Sequence, residues 1–242
     1  MALTKVIGAG VGSLTEDLAL SDSDKIKLGA GSDLQLYHDG SHSYIDEVGT
    51  GSLYVRASII RWTNADGSET LGGVDADGGW FLKANNSNAL VIDTNGHITK
   101  PLQPAFYAET ASSQSNIALN TAQTLAFGGE IFDQNADFAS NTFTAPLSGR
   151  YFLHTTLRFE AIDTAANYVL WGIVTSNREF YSILDPQRFS ADVNYYSVQQ
   201  TVLADMDASD TAHVVYLQSG GTQQTDLQGA DGYSYFCGHL VA

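Results

Sequence analysis

From about Asp24 the chain falls into short runs in which apolar and polar residues alternate, the period of half-buried β-strands. Eight such runs precede residue 100, at 25–28, 34–37, 43–45, 52–56, 58–62, 79–83, 89–92 and 97–99. Between them stand Asp39-Gly40, Asp66-Gly67, Asp77-Gly78 and Asn95-Gly96, pairs that accept the positive φ of tight hairpin turns. Strands this short bury little on their own, so about 80 residues of this texture make a weak core. Association relieves the shortage, because apolar strand faces then pack on neighbouring chains and exposed edges are covered. The pattern therefore predicts an elongated, intertwined β shaft over 24–103, with an independent small β domain as the alternative. The small, Gly-rich stretch 1–23 reads as an N-terminal arm that anchors the chain to another body.

Lys100–Pro104 holds two prolines three apart, which stiffen the chain and end the preceding strand. Beyond it the β-type runs lengthen, at 105–109, 124–127, 141–144, 150–160, 168–174, 179–183, 195–203, 212–217 and 233–241. Helical periodicity is almost absent, so 104–242 reads as a jelly-roll β sandwich. The fold class is all-β: a short shaft followed by a jelly-roll head, with trimeric assembly expected.

Composition narrows the function. Charged residues make up 16% of the 242, against about 25% in ordinary soluble chains. The net charge is −16 and no lysine follows Lys100. Nucleic-acid binders need a basic patch to displace counterions, and none is present in the sequence. The same acidity disfavours an anionic lipid surface. No apolar run approaches a membrane span, and Gly8, Gly10 and Gly12 make the start a poor signal peptide. Synthesis and folding in a cytoplasm are expected. Cys237 is the single cysteine and reads as a buried, reduced thiol on the strand face opposite Phe236.

Residues 104–242 resemble the C1q-like domain, the trimeric jelly roll shared with the tumour necrosis factor family. The resemblance rests on Ala105–Ala108, on Glu130–Asp133 with Phe138, on Thr142–His154 with its Pro-x-x-Gly turn, and on the closing Ser234–Val241. It implies a homotrimer in which the first and last strands face the threefold axis, placing Phe106, Tyr107 and Phe236 in the trimer core. The front half, Asp24–Gly29 and Asp33–Ile45, resembles stretches of bacteriophage tail-fibre and related structural proteins. Together the halves imply a virion fibre: residues 1–23 bound to other virion proteins, a shaft, and a head that meets a host surface glycan or protein. A capsid decoration or tail adaptor without receptor duty is the alternative reading, and a glycan-cleaving tailspike a further one.

Candidate chemistry is sparse. Acidic pairs occur at Asp75/Asp77, at Asp205/Asp207 with Asp210, and at Asp226/Asp231. Turn formation, calcium ligation and glycosidase acid–base work all use such pairs. No EF-hand loop, nucleophile elbow or phosphate loop is found, so no catalytic residue and no cofactor is assigned, with calcium alone kept open. Alternating strand directions put the connections 161–167, 184–194 and 219–232 at the tip, far from Pro104. Receptor contact is therefore expected at Asp163, Arg188, Phe189, Asp192, Gln223, Gln224, Asp226 and Asp231. The 175–178 and 204–211 connections, with Asp205, Asp207 and Asp210, are expected at the base.

Overall fold

The computed structural model describes residue 17, residues 19–229 and residues 232–242. Most of the arm read as 1–23, and Asp231, lie outside the described residues. The chain forms two compact units, one ending at Ser58 and one running Ile59–Ala242.

The first unit holds a three-stranded antiparallel meander: β1 (Lys25–Leu28), β2 (Leu34–His38) and β3 (Ser43–Glu47). Lys25 lies over the Tyr37 ring, which stacks on Tyr44 at 4.7 Å. Asp39 closes the β2–β3 turn by accepting the N–H groups of Ser41 and His42. The run 52–56 was expected to be a strand and is not one. Its alternation is suitable, but no neighbouring strand offers it a ladder, and a strand exists only through its partners.

The second unit opens with a five-stranded meander: β4 (Ile60–Thr63), β5 (Thr70–Val74), β6 (Trp80–Ala84), β7 (Ser87–Ile92) and β8 (Ile98–Thr99). Each strand pairs with its sequence neighbour in the same chain. Asp-Gly and Asn-Gly turns at Gly67, Gly78 and Gly96 carry the positive φ that the sequence implied.

Residues 105–240 then build a two-sheet sandwich. Its eight principal strands are β9 (Ala105–Glu109), β13 (Thr142–Thr144), β14 (Gly149–Ile162), β15 (Ala166–Thr175), β16 (Glu179–Leu184), β17 (Val193–Met206), β18 (Thr211–Gly220) and β20 (Tyr235–Leu240). Short strands β10 (Gln123–Thr124), β11 (Gly129–Asp133), β12 (Phe138–Ala139) and β19 (Asp226–Leu227) extend the sheets. One sheet runs β11-β9-β20-β14-β17, the other β12-β13-β18-β15-β16. The first principal strand thus pairs with the eighth, the second with the seventh, the third with the sixth and the fourth with the fifth. That nesting is one long antiparallel hairpin rolled into two facing sheets, which is a jelly roll.

Alternation fixes what fills the space between the sheets. Along β14, Tyr151, Leu153, Leu157 and Phe159 point inward, and outward positions between them stay partly wet. Phe106 and Phe236 sit at the centre at 1% and 0% exposure; Phe106 stacks on Phe138 at 4.9 Å and on Phe143 at 4.8 Å and meets Phe236 edge-on at 5.0 Å. Gly238 is glycine because a Cβ there would meet Leu153 and the Phe106 ring. This corrects the expectation for the trimer core. Phe106 and Tyr107 are neighbours on one strand and must face opposite ways. Phe106 and Phe236 take the inner face and are enclosed within one protomer, so of the three only Tyr107 faces outward.

Candidate functional site

The outer face of the β11-β9-β20-β14-β17 sheet carries an aromatic band. Tyr107 stacks on Tyr235 at 4.9 Å and on Phe132 at 6.2 Å. His154 lies 5.6 Å from Tyr235, with one ring nitrogen 2.7 Å from Thr201 Oγ1 and the other 3.1 Å from Thr156 Oγ1. Burial holds His154 below the usual imidazole range, so it is neutral at pH 7. Burial, then the Glu109 carboxylate, push the Tyr107 phenol up to about 12.

Cys237 sits in the same band, opposite His154 and Tyr107 in the ladders. It faces away from Phe236, as the alternation implied, and is half-buried rather than buried, because the outer face of the sheet is only partly covered. Burial pushes its thiol up to about 11. Since the thiolate is the reacting form, a thiol reagent should label the native protein far more slowly than a free cysteine at pH 7. The rate should climb steeply towards pH 11. Fast labelling at neutral pH, followed by mass spectrometry, would contradict this environment.

The loops at the far end of the sandwich are tied together by carboxylates. Asp163 is almost fully buried, and it accepts N–H groups from Ala165, Thr222 and Gln223 at 2.7–2.9 Å. Burial would raise its pKa, but the three donors outweigh it and hold the carboxyl below the usual range. Gly220 and Gly221, both at positive φ, bend the chain around this carboxylate, and a Cβ on Gly221 would collide with it. Asp192 accepts from both N–H and Oγ–H of Thr164, joining the 185–192 loop to the same point. Asp226 accepts the Asn116 N–H at 2.6 Å, and the Gln224 amide donates to the Asn116 carbonyl. Beneath them Gln218 and Thr225 are fully buried and hydrogen-bond each other at 2.7 Å.

The seven candidate contact residues that are described therefore divide, Asp231 lying outside them. Asp163 is a buried fastener and is corrected from a contact residue to a positioning one. Asp192, which is exposed, and Gln224 and Asp226, which are half-buried, also brace loops. Arg188 and Gln223 are exposed, and Phe189 is half-buried. Arg188 is mostly exposed and pairs with Asp185 at 3.0 Å, and Phe189 leans edge-on against Tyr196 at 5.8 Å. Asp185 also accepts the Gln187 N–H, which shapes the 3₁₀ turn Pro186–Arg188.

Sequence reasoning overlooked a neighbouring cluster. The Arg158 guanidinium lies between two exposed rings, 4.3 Å from Tyr233 and 5.0 Å from Tyr195, with Glu160 at 4.0 Å. Arg158 and Tyr195 fall on outward positions of their strands, so alternation could have flagged both. Their meeting depends on the β14–β17 register, which sequence does not print.

At the opposite end, Asp210 accepts from the Asp207 N–H and from the Asn177 amide, and Asp207 accepts from Ser148. The chain end lies close by, with Arg150 N–H donating to the Ala242 carbonyl. These acidic residues shape turns. Among the described residues no group of three or more His, Cys, Asp or Glu could hold a metal ion, and no helix is long and apolar enough to cross a membrane.

No family model and no curated protein matches the chain. Among solved structures it is similar to the globular domain of zebrafish complement 1qA protein, at 15% identity and a TM-score of 0.42 over 58% of this chain and 98% of that one. It is similar also to murine APRIL crystallised at pH 8.0, at 10% identity and a TM-score of 0.43 over 57% and 99% of the two chains.

Proposed function

We propose that the chain is a non-enzymatic virion fibre or spike protein, a homotrimer that attaches to a host cell surface through the loop end of its jelly roll. One observation carries this reading. Three connections converge at the end of the sandwich opposite Pro104 and Ala242, fastened by Asp163 and Asp192, and they present Arg188 and Gln223 to solvent beside the half-buried Phe189. Loops held on a rigid scaffold are where binding residues concentrate. A cation, an aromatic edge and amides suit the hydroxyls and ring faces of a glycan. Arg158 between Tyr195 and Tyr233 adds a second aromatic surface beside the loops. The homotrimer is drawn to the outward aromatic band around Tyr107, since three copies burying such rings gain roughly 1.5–3 kcal/mol for each. Residues 1–23 would then bind the rest of the particle, which assembles in the host cytoplasm.

The double variant Arg188→Ala/Phe189→Ala should remain a folded oligomer and lose adsorption to a panel of bacterial cells that the labelled full-length protein binds. Unchanged adsorption would move the contact to the Arg158 cluster. Absence of cell binding by the native protein, with the protein still found on virus particles by immunolabelling, would favour a decoration or adaptor role.

A further inference from the structure

The five-stranded sheet β4–β8 has two faces of opposite character. Registers place Ile60, Val74, Trp80, Ile92 and Ile98 in one cross-strand row. Trp62, Gly72, Leu82 and Leu90 form the next row on the same face. The five strands contain two charged residues, Arg61 and Lys83, and both lie on the other face with their cations over the Phe81 ring. The apolar face is bare in one chain. Trp62 is 48% exposed, Trp80 51%, Leu82 54% and Ile98 63%. Trp62 and Trp80 are 6.4 Å apart and lean on each other, and Gly72 leaves the gap into which Trp62 and Leu82 close.

A single-layered sheet with one wholly apolar face needs a second layer. We infer that this face is a self-association surface, packed against the same face of further copies of this chain. Size and charge select that occupant. Strands about 4.8 Å apart and about 15 Å long give a face of roughly 350 Å², well short of the roughly 800 Å² per partner of a stable interface. It cannot hold a foreign partner alone, but it can close between copies already joined elsewhere. In that respect the inference rests on the homotrimer proposed above. Two chains of net charge −16 repel, and this face is where they meet with no charge on either side. The β1–β3 sheet repeats the division in part: Ile26, Leu28, Leu34, Leu36 and Ile45 share one face by register, where Glu47 stands opposite Leu34, with Ile26, Leu28 and Ile45 exposed, and Lys25 and Tyr37 occupy the other.

The test is acrylamide quenching of the full-length protein, with oligomeric state measured on the same sample by sedimentation. Trp171 is buried in the sandwich, so Trp62 and Trp80 report on the sheet face. In the native oligomer both should be shielded with blue-shifted emission. Leu82→Lys should restore quenching, shift the emission to the red and weaken association by roughly 10²-fold, because it puts an unpaired charge in a dry contact. Lys83→Glu, on the opposite face, should change neither. A stable oligomer in which Trp62 and Trp80 are freely quenched would overturn the inference and leave the homotrimer standing. A native monomer at micromolar concentration would overturn both. Should Leu82→Lys fail to fold, the quenching of the native protein still decides.

Discussion

Phe106→Ala should destabilise the Ile59–Ala242 unit by about 3–5 kcal/mol, the usual consequence of emptying a phenylalanine site in a closed core. Phe106 is stacked between Phe138 and Phe143 and meets Phe236 edge-on, and neither sheet can move in to fill the space. For a unit of this size that corresponds to a drop in Tm of roughly 10 °C. Tyr107→Ala, one residue further along the strand, removes an outward ring and should lower the protomer's stability far less while weakening association. Thermal unfolding of the two variants together with their sedimentation separates the roles. Equal Tm losses, or an association defect confined to Phe106→Ala, would contradict the placement of Phe106 inside one chain.

The second large effect concerns Asp163. Asp163→Ala leaves the N–H groups of Ala165, Thr222 and Gln223 without their acceptor in a buried corner. Hydrogen bonds to a charged acceptor are worth about 1.5–3 kcal/mol each and are not additive here, so a loss of about 3 kcal/mol is expected. It should appear first as local opening of the 220–225 loop, read as faster amide exchange at Thr222 and Gln223. The pH dependence has a definite sign. The folded carboxyl titrates below its unfolded value of about 3.9, so its contribution is complete above that value and is lost as pH falls through the folded one. Native protein should therefore show an acid-dependent opening of this loop below about pH 4. Asp163→Asn should be open already at pH 7 and nearly insensitive to acid. If the proposed attachment role holds, adsorption should fall with loop order, although Asp163 itself is buried.

Much of the architecture is written in local pattern. Alternation along 150–160 and 195–203 marks the two longest strands. Asp-Gly and Asn-Gly pairs mark hairpin turns at Gly67, Gly78 and Gly96, and the prolines of 100–104 mark the passage into the sandwich. These are local properties of two to ten residues, so they survive without knowledge of the fold. Alternation also states which residues share a face, and so separates Phe106 from Tyr107 and Phe236 from Cys237. It is silent on which of the two faces is inside. That choice is made by nested pairing over more than a hundred residues, when β9 meets β20 and the two sheets close. The same long-range closure buries Asp163 under the Gly220–Gly221 turn, a role that an aspartate in a loop does not announce. It sets Arg158 between Tyr195 and Tyr233 through the β14–β17 register. It also leaves 52–56 without a ladder, since a run with good β-pattern becomes a strand only where another strand lies beside it. Sequence determined most of the strands, the hairpin turns and the all-β class because these follow from neighbours along the chain. By contrast β5, whose Gly72 and Gly73 give no alternation, became a strand only between β4 and β6. Inside and outside, fastener and contact, were decided by neighbours in space.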